Sequence, residues 1–121
     1  MAATFNRSLT EQAARKAAAE IRSAGTHWTF APCVDIVCDA RWGRTGETYG
    51  EDPFLASEMV RTAVKGLQDN PDPAKRVAAS VKHLAAGGVS AGGVNHASAE
   101  ISERFLRSYI LPPFKLPSKR A

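Results

Sequence analysis

Between Trp28 and Pro53 the sequence reads WTFAPCVDIVCDARWGRTGETYGEDP, and this window holds the densest set of chemically useful side chains in the chain. Asp35, Asp39, Glu47, Glu51 and Asp52 supply carboxylates, Arg41 and Arg44 supply guanidinium groups, and Trp42, Gly43, Gly46, Tyr49 and Gly50 are interleaved with them. Planar arginine forks, aromatic faces and flexible glycines suit a pocket for a polar, hydroxyl-rich ligand. A structural ion-pair loop uses the same residue types, so composition leaves both readings open. Lys82 and His83 lie farther along, after a short apolar run. Lys82 offers a compact ammonium, and His83 a ring that donates or accepts and can orient a ligand oxygen. His27 reads as structural or exposed. His96, in a glycine-rich stretch, can reach a pocket or lie on the surface. No Ser-His-Asp or Cys-His spacing identifies an acyl-transfer site.

The elements around these residues read as α/β. Ser8 to Glu11 fits a capping box at the start of a first helix, with Leu9, Ala13, Ala17, Ile21 and Ala24 at helical spacing and Gly25 as its stop. That helix is expected to expose Arg15, Lys16 and Arg22. Thr26–Ala31 reads as a strand with two largely apolar or small faces, which fits a parallel strand covered by helices. Pro32 ends it, so the polar window leaves from the strand's C-terminal end, where α/β folds place ligand-binding loops. Asp52 and Pro53 open a second helix as cap and first residue. Its core face is Leu55, Met59, Val60, Ala63, Val64 and Leu67, and Asn70 to Pro73 turn the chain. Val77–Val81 reads as a second parallel strand, joined to the first by a right-handed crossover. Lys82 and His83 then emerge at the same end of the sheet as Arg44. Ala85–Ala99 has four glycines and no hydrophobic period, so it reads as a flexible loop, without the Lys-Ser or Lys-Thr ending of a phosphate loop. Ser102 caps a last helix with Ile101 and Leu106 as a staple, Phe105, Leu106, Tyr109 and Ile110 form its apolar face, and Pro112 and Pro113 stop it.

The whole chain sets bounds on these readings. Its 121 residues suffice for one modest domain, and 44% hydrophobic with 23% charged residues is a globular composition. No apolar run is long enough for a membrane span, and the N-terminus lacks the apolar core of a secretory signal; neither places the parent protein in a compartment. A net charge of +4, with basic residues scattered except for Lys115, Lys119 and Arg120, gives no stripe for nucleic acid. Cys33 and Cys38 read as two small buried thiols; a short disulfide would need suitable backbone geometry, and their spacing announces no metal site. No cofactor is expected.

Four segments together resemble glycoside hydrolase family 3, in the N-terminal barrel domain of its β-glucosidases and β-xylosidases. They are HWTFAPCVD from His27, DARWGRTGETYGEDPF from Asp39, VKHLAAGG from Val81 and ISERFLRSYILPPFK from Ile101. They occur in family order and cover most of residues 9–116. The resemblance implies that residues 1–121 are part of a (β/α) barrel from an enzyme that removes terminal β-linked glucose or xylose with retention of configuration. It implies that Arg44, Lys82 and His83 hold the nonreducing terminal sugar, with Glu47 and His96 as supporting residues. The chain departs from the family pattern at Ala40, Leu84, Gly87, Asn95 and His96, close to the expected pocket. Retaining hydrolysis needs two carboxylates about 5 to 5.5 Å apart, and the family places both beyond Ala121. A complete barrel takes about 250 residues. The 121-residue chain alone is therefore expected to lack turnover, to have poor autonomous stability and to self-associate through uncovered sheet edges and apolar faces. A noncatalytic carbohydrate-binding or assembly protein that kept the pocket is the alternative.

Overall fold

The computed structural model describes residues 1–115. Leu116, at the end of the family-like region, and the basic residues Lys119 and Arg120 lie outside the described residues. Helix α1 spans Arg7–Ser23 and packs along α2, which spans Pro53–Gln68. Strands β1 (Trp28–Thr29) and β2 (Ala78–Ala79) form a parallel pair in the register Trp28 to Ala78 and Thr29 to Ala79. This is an α/β fold with a small sheet, and the described residues form no closed barrel. No described helix is long and apolar enough to cross a membrane.

The expected start of α1 is corrected by two residues. Asn6 has the extended backbone that a cap requires, and its side chain accepts from the Leu9 amide at 3.0 Å. Ser8 already lies inside the helix and accepts from Gln12 Nε2. The inward stripe is also rotated: Thr10, Ala14 and Ala18 face α2, whereas Leu9 is 42% exposed. Gly66 of α2 sets this rotation. A Cβ at Gly66 would lie 2.5 Å from the Glu11 carbonyl oxygen and 2.7 Å from the Ala14 Cβ, so the helices touch where one has no side chain. Arg15 is half-buried rather than exposed, donating to the Asp69 carbonyl at 2.7 Å and to Glu11 at 2.8 Å.

The start of α2 follows the sequence reading. Asp52 accepts from the Leu55 amide at 2.8 Å, Pro53 is the first helical residue, and Met59, Val60, Ala63 and Leu67 are buried. Both strands are shorter than Thr26–Ala31 and Val77–Val81 suggest. Pro32 has no amide hydrogen, so the ladder is interrupted there and resumes as a bridge between Cys33 and Lys82. Across that bridge the Val34 amide donates to the Lys82 carbonyl at 2.7 Å, and the Lys82 amide donates to the Pro32 carbonyl at 3.0 Å. The described residues cover β1 on one face at most: Thr29 is half-buried, whereas Trp28 and Phe30 form an edge-to-face pair with centroids 4.7 Å apart and stay more than half exposed.

Within the expected loop 85–99, Ala86, Gly88, Ser90 and Gly93 are buried, whereas Val94 to His96 are exposed. Two 3-10 turns, Gly87–Val89 and Ala91–Gly93, press Gly87, Gly88 and Gly93 onto the polar window, while Gly92 is exposed. A Cβ at Gly88 would overlap the Ile36 carbonyl oxygen, and one at Gly93 would lie 2.7 Å from the Arg41 Cβ. Ser102 caps α3 (Glu103–Phe105), which widens into a π-helical turn over Leu106–Ile110. Its apolar face joins Ile36, Ala56 and Ala86 in one cluster with Ile101, Phe105, Leu106 and Tyr109, as the spacing suggests.

Candidate functional site

The bridge between Cys33 and Lys82 places the two chemistry-bearing segments side by side. After it, the first segment runs through the buried stretch Cys33–Val37 into two short turns, Ala40–Trp42 and Thr45–Glu47. Asp39 caps the first turn by accepting from the Arg41 amide at 2.9 Å. This leaves Trp42 buried at 3% exposure, with its indole Nε1 donating to Asn95 Oδ1 at 2.9 Å. The guanidinium of Arg44 lies over the Trp42 ring, 5.4 Å from its centroid.

Arg44 is held as a fork by Glu47, with Nε donating to Oε1 at 2.9 Å and Nη2 donating to Oε2 at 2.8 Å. These hydrogen bonds hold the Glu47 carboxyl below the usual carboxylate range and raise Arg44 further. Nη2 of Arg44 also approaches His83 Nε2 at 3.4 Å. Arg44 and His83, 39 residues apart, thus meet at the mouth of one cavity of about 350 Å³, which Trp42, Asn95, His96 and the backbone at Gly87 also line.

The remaining expected residues are distributed differently. Lys82 is not on the cavity lining; its backbone joins the segments, and its charge acts on Glu47. Glu47 also stands outside the lining and reaches the cavity through Arg44. His96 stands on the rim, exposed, with φ at 70°. His27 contributes its carbonyl to the ladder and is otherwise exposed. A larger hollow of about 560 Å³, between the N-terminal turn and residues 45–55, is lined by no arginine, lysine or histidine side chain.

Asp35 is the residue that sequence reasoning missed. Its side chain is fully buried, with Oδ2 2.7 Å from His83 Nδ1. The signal was its position: a carboxylate between Val34 and Ile36, in a run of buried apolar residues, needs partners. Cys33, Asp35 and His83 form the one group among the described residues whose donor atoms lie within 4.8 Å of one another and could hold a cation; here they are joined by hydrogen bonds.

Both cysteines are free, and they differ, because Cys33 is buried whereas Cys38 is exposed, contrary to the expected pair of buried thiols. Burial, with the Asp35 carboxylate adding, pushes the Cys33 thiol up to about 11. The folded chain thus favours the neutral thiol. That contribution to stability is complete below the ordinary thiol value of about 8.5 and is lost as pH rises toward about 11. Iodoacetamide at mildly alkaline pH is expected to label Cys38 first and Cys33 only on unfolding, as peptide mapping would show. Equal labelling rates would contradict the buried placement of Cys33.

The chain is 39% identical over 117 residues to a periplasmic β-glucosidase of Salmonella typhimurium, covering 95% of this chain and 15% of that protein. It is 36% identical over 124 residues to a β-xylosidase of Formosa agariphila, covering 99% of this chain and 17% of that protein. A solved β-glucosidase from Erythrobacter marinus superposes with a TM-score of 0.89 at 40% identity, over 93% of this chain and 15% of that one. A β-glucosidase from Listeria innocua gives 0.90 at 37% identity, over 93% and 16%. The chain thus spans well under a fifth of the length of these relatives. Residues 1–117 match the pattern of the glycosyl hydrolase family 3 N-terminal domain, and since that match covers nearly the whole chain, the chain belongs to this family.

Proposed function

We propose that this chain is the sugar-holding segment of a retaining glycoside hydrolase that releases terminal β-linked glucose or xylose. The observation that carries this reading is the meeting of Arg44 and His83 over a cavity walled by Trp42. A pyranose offers hydroxyls that the guanidinium and imidazole of such a cavity can bond. At about 350 Å³ the cavity suits one small ligand. Glu47 keeps the Arg44 fork in place, Lys82 adds an ammonium from the Glu47 side, and His96 supports the ligand from the rim. The Listeria innocua relative has been solved in complex with glucose.

Among the described residues, no aspartate or glutamate side chain lines this cavity. Retaining cleavage needs a nucleophilic carboxylate and an acid/base carboxylate about 5 to 5.5 Å apart. On this reading both come from outside residues 1–121, and the chain binds and orients a sugar that other residues cleave. The test is to follow the anomer first released from aryl β-glucosides and β-xylosides by proton NMR, using the intact gene product. The β anomer is expected, with no turnover by residues 1–121 alone. First release of the α anomer, or turnover by the 121-residue chain, would overturn the reading.

A further inference from the structure

We infer that Asp35 is a positioning residue for His83: it holds the imidazole in the tautomer protonated at Nδ1, so that Nε2 faces the cavity as an acceptor beside Arg44. The inference takes the cavity's ligand from the sugar-binding reading above. The tautomer follows from the network itself.

Asp35 is an acceptor toward every partner whose polarity is fixed. Its Oδ2 accepts from the His83 amide at 3.1 Å and from the Cys33 thiol at 3.3 Å, and its Oδ1 accepts from the Gly87 amide at 3.1 Å. A backbone amide only donates, and an ionised carboxylate only accepts. The ring nitrogen 2.7 Å from Oδ2 must therefore supply the hydrogen, which puts the proton on Nδ1. On the other side of the ring, Nε2 faces Arg44 Nη2 at 3.4 Å, and a guanidinium has no acceptor. An acceptor-only partner at one nitrogen and a donor-only partner at the other select the same tautomer.

The consequence is a complementary pair at the cavity mouth, in which Nε2 accepts from a hydroxyl and Arg44 donates to an oxygen. Two adjacent sugar hydroxyls satisfy both. The contact between Arg44 and His83 is long enough to yield to a hydroxyl that bonds better. Asp35 itself is not on the cavity lining and acts on the cavity through His83 and the Gly87 backbone that it holds.

The test uses the intact gene product with ¹⁵N-labelled histidine, with the His83 signals assigned by their loss in His83→Gln. In the alkaline range, where imidazoles are neutral, the wild-type spectrum should show a protonated Nδ1 and an unprotonated Nε2. A protonated Nε2 would overturn the inference, and this measurement needs no variant at position 35. In Asp35→Asn one oxygen becomes a donor, and the Nδ1-protonated fraction should fall by at least half. An unchanged fraction in a folded Asp35→Asn would show that Asp35 does not set it. Glucose should then shift the Nε2 signal. A silent Nε2 would count against the sugar-binding reading while leaving the tautomer result standing.

Discussion

Arg44→Ala is expected to weaken glucose binding by about 10- to 100-fold, since hydrogen bonds to a charged group are worth about 1.5–3 kcal/mol and each 1.4 kcal/mol is about a factor of ten. The loss should be specific to binding. Arg44 pairs with a largely exposed Glu47, and an exposed pair adds little to stability, so thermal unfolding should hardly change. Arg44→Lys separates charge from geometry. It restores the positive charge but not the two-pronged hold on Glu47, so binding should remain weak. Calorimetric titration of the intact gene product measures both variants. Wild-type affinity in Arg44→Ala would remove this arginine from the binding site.

The largest expected loss of stability comes from Gly88→Ala. The added methyl would overlap the Ile36 carbonyl oxygen and press on the Val37 Cα at 3.3 Å, and backbone has no rotamer by which to move aside. Relief means separating residues 87–89 from the Cys33–Val37 stretch, which would break the hydrogen bond from the Cys38 amide to the Gly88 carbonyl. Overpacking typically costs about 1–3 kcal/mol, and a clash against backbone belongs at or above the top of that range. Gly46→Ala is the matched control, because its Cβ would meet nothing within 4 Å. Urea unfolding of the two variants should give a clear drop for position 88 and almost none for position 46. Equal midpoints would refute the close packing of Gly88 on Ile36 and Val37.

What the sequence disclosed about fold and site depended on whether a residue's role is local. Asp52 and Pro53 act within their own turn, and their roles were readable from type and order alone. Ser8 met the same local rule, but Asn6, two residues earlier, satisfied it first. The buried face of α1 was not readable, because a glycine on another helix decides it, and alanine-rich helices offer several nearly equivalent faces. The convergence of Arg44 and His83 at one end of the sheet was legible, because both follow the strands that pair. Asp35 was not, because its role is defined by a histidine 48 residues away and by the Gly87 amide 52 residues away. Residues 85–99 misled for a related reason: glycine signals freedom in an isolated chain, yet here it allows backbone to lie on backbone.

The bridge between Cys33 and Lys82 also bears on the order in which the molecule assembles. The long-range hydrogen bonds of the site join residues 39 to 53 positions apart, from Arg44 with His83 to Trp42 with Asn95. Each requires a long loop to close before any contact rewards it, whereas the turns of α1 and α2 form from neighbours. On that basis the helices are early structure, and the cavity is completed on the native side of the folding barrier. The destabilisation in Gly88→Ala should therefore show mainly as faster unfolding, with the refolding rate little changed.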